Sequence, residues 1–352
     1  MSNEKPPPSP SPFEGRGPAS GLGLRLRCRR VCSATEITSV GISAGHETST
    51  EPSSSSPSAL AGYTAPQTAQ PWIDAFDVSS RRGATKMAGS HAVPAPLGGR
   101  VATMRASTTQ RGQGAQHHPS GSLCIRDLGT GKTVLDLRQA VAEPVAWSRD
   151  GNVLAAGDAR GSVGVWDARS GARVGMVVGH IDRVTHAAFM PGLTLVTLSR
   201  DGTARITDAR TARTLSRLET DVPGARPRAL AVSPDGRSVI SLWGTTVHTW
   251  LPETGDLASY DLRSTRRAEG WPLCISPDCR WMACRTEDGF DLVDLASGAV
   301  AWEERRFGDA DDCASMITAA AFSTDGKMLI LGRMDGIVEI WDVEKREGAS
   351  ST

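Results

Sequence analysis

The sequence predicts an all-β chain built as a ring of repeated four-stranded antiparallel sheets, and three observations predict it. A short strand pattern ending in Asp recurs through the C-terminal two thirds, as in Val163-Gly164-Val165-Trp166-Asp167 and Val338-Glu339-Ile340-Trp341-Asp342. Positions equivalent to Trp166 fall at 126, 166, 207, 250, 293 and 341, in steps of 40 to 48 residues. A turn motif keeps the same step: Ser148-Arg149-Asp150-Gly151, Ser233-Pro234-Asp235-Gly236, Ser276-Pro277-Asp278-Cys279 and Ser323-Thr324-Asp325-Gly326, with Met190-Pro191-Gly192 as a shortened member. These residues favour tight hairpins, and two signals sharing one period mark a radial array of sheets.

In chain order, residues 1–98 are rich in Pro, Ser, Gly and Thr and are expected to be a disordered, low-complexity N-terminal region. Trp72–Val78 is the exception and reads as an isolated strand. The stretch also resembles translated non-coding DNA, which makes a spurious upstream start an alternative. The ring is expected over 99–352. Gly99–Thr103 matches Gly151–Ala155, but Gln110–Ser120 then breaks the alternation, so the first sheet reads as degenerate.

Clear repeats run from 122. In the unit at 183–218 the four strands are predicted at Val184–Phe189, Leu193–Leu198, Thr203–Asp208 and Thr214–Leu218, with Asp201-Gly202 joining the second and third. Inner strands near 143–147, 184–189, 229–232, 273–275 and 317–322 give five sheets, and the degenerate one makes about six. Val343–Thr352 is too charged and small for a good outer strand of the last unit, which leaves ring closure open.

The repeats resemble those of the WD-repeat β-propeller family, in a divergent, bacterial-type form, and the resemblance covers about 65% of the chain. It implies four-stranded blades stacked around an axis, with an N-terminal strand completing the last blade; Trp72–Val78 is the candidate. It also implies a structural hydrogen-bond tetrad of His, Ser or Thr, Asp and Trp. Gly179-His180, Ser199 and Asp201 fall on three of those positions, with Thr207 at the Trp position. Trp166 and Trp341 keep the aromatic in their own units, where they are expected to be core residues. Elsewhere Arg138, Arg266 and Cys313 replace the His, and Arg160 replaces the turn Asp.

Charge is balanced, with 39 Lys+Arg against 39 Asp+Glu, divided as 12 against 7 over residues 1–121 and 27 against 32 beyond. Neither part has a nucleic-acid footprint. No stretch approaches the roughly 20 apolar residues of a membrane helix, and Gly21–Val31 lacks the apolar run of a signal peptide. A cytoplasmic protein is expected. The seven cysteines, at 28, 32, 124, 274, 279, 284 and 313, have no zinc-ligand spacing.

Three constellations imitate chemistry. Gly129-Thr130-Gly131-Lys132-Thr133 looks like the end of a phosphate loop, yet Arg126 stands where that loop needs Gly. Asp309, Asp311 and Asp312 fall short of a calcium loop. His180, Ser199 and Asp201 suggest a hydrolytic triad but occupy the tetrad positions.

The expected function is a non-catalytic scaffold, with no catalytic, cofactor or metal residues, binding a protein or peptide as a monomer or within a complex. No nucleic acid or membrane is expected as partner. The binding rim is predicted to carry Arg160, Arg200, Arg266, Arg267, Arg305, Arg306 and Arg333, because arginine forks suit binding hot spots. Two alternatives stand beside it. One is a truncated or decayed paralogue without a stable partner; the other is a propeller-based ligand sensor or enzyme.

Overall fold

A computed structural model describes residues 22–32, 37–42, 57–64, 71–78, 84–88, 90–106, 121–220, 224–262, 271–286, 289–305 and 316–345. They form 27 strands in chain order, arranged in seven blades. Strand β1, Leu22–Val31, precedes blade 1, which is Ile37–Ile42 (β2), Ser58–Thr64 (β3), Pro71–Asp77 (β4) and Ala84–Ala88 (β5). Blade 2 is Ser90–Pro94 (β6), Arg100–Ala106 (β7), Gly121–Asp127 (β8) and the first half of Thr133–Trp147 (β9). The second half of β9 opens blade 3 with Val153–Gly157 (β10), Val163–Asp167 (β11) and Arg173–Val177 (β12).

Blade 4 is Val184–Phe189 (β13), Thr194–Ser199 (β14), Thr203–Asp208 (β15) and Arg213–Glu219 (β16). Blade 5 is Pro227–Val232 (β17), Val239–Trp243 (β18), Thr246–Leu251 (β19) and Asp256–Asp261 (β20). Blade 6 is Trp271–Ile275 (β21), Trp281–Arg285 (β22), Gly289–Asp294 (β23) and Val300–Arg305 (β24). Blade 7 is Ile317–Phe322 (β25), Met328–Arg333 (β26) and Ile337–Lys345 (β27), completed on its outer edge by β1. Within each blade the strands are lettered a to d from the axis outwards.

The expected count of about six therefore becomes seven, and the ring starts at Leu22 rather than at 99. Strands inside 22–98 build all of blade 1, the inner strand of blade 2 and the outer strand of blade 7. Composition misled here because these strands are separated by Ser-, Thr- and Pro-rich connections that dominate the average over residues 1–98. The closing strand is β1, with Leu26 opposite Trp341 and Arg29 opposite Glu339. Trp72 instead lies on β4, inside blade 1. The outer strand expected to be lacking after Asp342 is supplied by β1, from the N-terminal part of the chain.

A twisted four-stranded sheet has two faces to bury, and the period of two along each strand gives alternate side chains to the two neighbouring blades. On β11, Val163 and Val165 enter the cluster shared with blade 4, whereas Trp166 enters the one shared with blade 2. The described core resolves into seven such clusters, one per blade junction. Trp166 is 3% exposed and Trp341 7%, both core residues as expected, and Trp341 meets Phe290 of blade 6 edge-on at 5.6 Å. Strand β1 contributes to two junctions, with Leu24 towards blade 6 and Cys28 towards blade 1.

The repeating motifs are hairpin locks. In the turn between strands a and b, the Ser hydroxyl donates to the Asp two residues on, at 2.6 Å for Ser148–Asp150 and Ser233–Asp235 and 2.5 Å for Ser276–Asp278 and Ser323–Asp325. The same hydroxyl accepts the amide five residues on, as from Val153 and Met328. In the turn between strands c and d the terminal Asp accepts the Ser or Thr three residues on: Thr130 to Asp127 and Ser170 to Asp167. These bonds hold both Asp carboxyls below the usual carboxylate range. Gly129–Thr133 is thus a hairpin corner leading into a strand, with no helix to present amides to a phosphate.

Candidate functional site

Antiparallel winding puts the loops between blades (d to a) and the b-to-c turns on one rim, with the a-to-b and c-to-d turns on the other. Blade 4 shows how the first rim is held. Gly179 precedes His180 with φ of +107°, and a Cβ there would meet the Arg205 guanidinium at 2.6 Å, so only Gly admits both. The His180 ring is 6% exposed, and its Nδ1 lies 2.9 Å from Asp201 Oδ2 and 3.1 Å from Thr203 Oγ1. Its Nε2 lies 2.8 Å from Thr197 Oγ1.

Burial lowers the His180 pKa against the opposing pull of Asp201, so the ring is neutral. A neutral ring donates from Nδ1 to the carboxylate and accepts at Nε2 from Thr197. Asp201 is itself held low: burial works against this, but hydrogen bonds from Thr203, His180 and the Ile181 amide outweigh it.

The second-strand hydroxyl of this network is Thr197, not Ser199. Ser199 Oγ donates to the Asp182 carbonyl at 2.8 Å and accepts the Asp201 amide, so it pins loop to turn without touching His180. The strand pleat explains the difference: Thr197 lies one period further into β14 and points to the same face as the ring. Thr207 Oγ1, at the aromatic position, is buried with no partner among the described residues. Trp166 Nε1 likewise has none, while Trp341 Nε1 donates to Glu339 at 3.4 Å. Thr197 is fully buried and Ser199 is bonded elsewhere, so the group has no accessible nucleophile; it is a brace.

The predicted arginine rim separates into three groups. Arg160 and Arg200 are exposed on the b-to-c turns of blades 3 and 4. Arg305 and Arg333 are ion-paired with carboxylates of the same chain. Arg305 reaches the buried Asp291 at 2.6 Å, and Arg333 binds Asp335 and, at 3.2 Å, Glu339, itself fully buried. Asp291 and Glu339 lie mid-strand, on β23 and β27, where no local pattern marks them as partners of an arginine. Arg266, Arg267 and Arg306 lie outside the described residues, as do Cys313 and the Asp309, Asp311 and Asp312 cluster.

What sequence reasoning missed is Ile181, 90% exposed beside His180. Next to it lies a cleft of about 560 Å³ between blades 4 and 5, lined by Asp182, Arg200, Asp201, Arg217, Glu219 and Arg226 among others. Among the described residues no group of three or more His, Cys, Asp or Glu side chains is placed to hold a metal. Burial raises the Cys274, Cys279 and Cys284 thiols, the last two to about 12, far from reactive thiolates.

The family model described as WD domain, G-beta repeat matches residues 130–167 and 308–342. The chain is 29% identical over 171 residues to the small ribosomal subunit protein RACK1y of Oryza sativa subsp. japonica, covering 47% of this chain and 49% of that one. It is 27% identical over 212 residues to telomerase protein component 1 of Mus musculus, covering 57% of this chain and 8% of that one. It is 26% identical over 206 residues to the periodic tryptophan protein 2 homolog of Dictyostelium discoideum, covering 56% and 21%. The chain thus spans about half or less of the length of these curated relatives. With two matched repeats, seven four-stranded blades and a His–Asp–Thr brace joining the loop and turn of blade 4, the chain is similar in sequence and in architecture to WD-repeat β-propeller proteins.

Proposed function

We propose that this chain is a non-catalytic protein-interaction scaffold that takes a protein or peptide on the rim bearing the loops between blades and the b-to-c turns. Ile181 carries the reading. It stands 90% exposed on a loop whose backbone is bonded to Asp201 on one side of the side chain and to Ser199 on the other. A large aliphatic side chain braced in water gains nothing for the fold, whereas a partner covering it removes apolar surface from solvent at about 25 cal/mol per Å². The names of two relatives support membership of an assembly: one is a small ribosomal subunit protein and one a telomerase component.

A photo-crosslinking side chain placed at Ile181, and separately at Arg169 on the opposite rim, tests this in the native cell. Discrete adducts at 181, competed by unmodified protein and absent at 169, are expected. Equal adducts at both positions, or none at 181, would sink the rim assignment.

A further inference from the structure

We infer that the cleft between blades 4 and 5 is a docking groove for an acidic peptide segment, with Ile181 seating an apolar residue beside it. The inference deepens the scaffold reading and rests on it. Three arginines and three acids line the groove, but they are not equally available. Both Asp201 oxygens are engaged inside the brace, by His180 and the Ile181 amide on one and Thr203 on the other. Glu219 is paired with Arg217 at 2.7 Å, and Asp182 accepts the neighbouring Arg183 amide at 2.6 Å.

Two guanidiniums are left. Arg200 projects from the b-to-c turn of blade 4 and Arg226 from the chain leading into blade 5; both are exposed, and neither has an ion pair among the described residues. One more cation stands close by. Arg228, two residues on, has its pKa lowered by burial and by Arg226. A carboxylate entering the groove would relieve that repulsion and could take a bidentate fork from either wall.

The occupant follows from the balance of the walls. A nucleic-acid backbone needs a net positive track, and here the three fixed acids would oppose successive phosphates. Carboxylates spaced along a peptide can meet Arg200 and Arg226 and avoid the acids. The apolar step at Ile181, on the same rim and adjoining Asp182, gives such a peptide an anchor that a polyanion would not use.

The test measures fluorescence anisotropy of a labelled synthetic peptide with one leucine followed by glutamates separated by glycines, against the same peptide with glutamines and against a single-stranded RNA of equal length. The expected result is saturable, salt-sensitive binding of the glutamate peptide only. Reversing Arg200→Glu and Arg226→Glu together should weaken it on the order of a hundredfold, and Ile181→Ser on the order of tenfold. Reversing Arg169 and Arg210 on the other rim should leave it unchanged. Unfolding midpoints of all variants are compared, and Arg200→Gln with Arg226→Gln serves if the reversal does not fold. Equal binding by the reversed variant, or tighter binding of the RNA, overturns the groove assignment. If no peptide binds but the Ile181 crosslinks persist in the reversed variant, this inference fails while the scaffold reading stands; loss of those crosslinks from the wild-type chain would fail both.

Discussion

Blades 4 and 7 hold their third strands in place by opposite chemistry. In blade 4 a neutral His180 bridges the incoming loop, the b-to-c turn and Thr197, and every member comes from one continuous stretch of chain. In blade 7 the centre of the third strand is Glu339, fully buried, taking Arg29 at 2.7 Å, Arg333 at 3.2 Å and the Trp341 indole. Arg29 belongs to β1, more than three hundred residues away in sequence. Arg27 adds a second pair to Asp342 at 2.8 Å. Blade 1 and blade 6 follow blade 7 in part: Asp74 faces Lys86, and Asp291 is bound by Arg305. A blade made from one segment needs its loops pinned, whereas a blade made from two chain ends needs its strands matched. Charge does the matching, because a one-residue slip of β1 would leave Glu339 buried without Arg29.

The largest effect should come from removing β1. A chain lacking residues 1–32 exposes the β27 edge and strips Leu24 and Cys28 from two blade junctions. It should lose the single cooperative unfolding transition, and a peptide of residues 22–32 added in trans should restore protection of β27 amides to hydrogen exchange. Unchanged denaturation on deletion would show that the ends do not close the ring.

Next come the aromatic anchors. Trp341→Ala and Trp166→Ala should each cost about 3–5 kcal/mol through the cavity left behind. Trp341→Ala should cost more, because the Phe290 contact is lost with it and Glu339 loses a donor. Denaturant unfolding would break this ranking if Trp166→Ala proved the more damaging.

Much of this was legible in the sequence, but unevenly. The four strands of blade 4 were placed within a residue or so, since Asp-Gly corners and alternating apolar residues mark each boundary. Trp166 and Trp341 were readable as core for the same reason. Blade 1 was not, because Ser58–Thr64 carries a weak apolar pattern and its burial depends on contacts from Ile330 and Ile340, far along the chain. The brace was legible in His180 and Asp201 and shifted by one strand period at Thr197. The carboxylate partners of Arg305 and Arg333 were not legible, because a lone arginine does not reveal a buried acid across a strand. Exposed Ile181 carried a faint signal: an aliphatic residue between His180 and Asp182, at a loop crest, where a polar one would serve the fold better.

Smaller effects separate the two blades further. His180→Ala should cost about 1–3 kcal/mol, the penalty of leaving Asp201 and Thr197 short of partners. Acid should act through the same ring. Its folded pKa lies below the ordinary value of 6.5, so the unfolded chain takes the proton first. The contribution of His180 is therefore complete above about pH 6.5 and is lost as pH falls through the folded pKa. Asp201, held below 3.8, adds a second loss in stronger acid. Asp74, raised chiefly by burial, runs the other way and is favoured by protonation. Hydrogen exchange against pH should show blade 4 opening before blade 7 between neutrality and pH 5; the reverse order would contradict a neutral His180.

The smallest effect should be the same in both blades. Gly326 closes the a-to-b turn of blade 7 with φ of +70°, and Gly192 closes the shortened turn of blade 4 with φ of +80°. A Cβ at Gly192 meets nothing within 4 Å, and at Gly326 only an ordinary contact with Pro277 at 3.8 Å. Alanine at either site therefore suffers left-handed strain alone, about 1 kcal/mol. Cys279 already tolerates this corner in blade 6, with φ of +59°. The turns differ in their locks, however. Ser323 holds both Asp325 and the Met328 amide, whereas Met190 stands in its place in blade 4. Ser323→Ala should cost a further 1 kcal/mol or so by freeing that amide, and Met190→Ala should leave its turn unaffected apart from packing. Equal costs for the two glycines with unequal costs for Ser323 and Met190 would show that backbone handedness is common to the blades while the side-chain lock is not. Unequal glycine costs would mean that the shortened turn follows a different path.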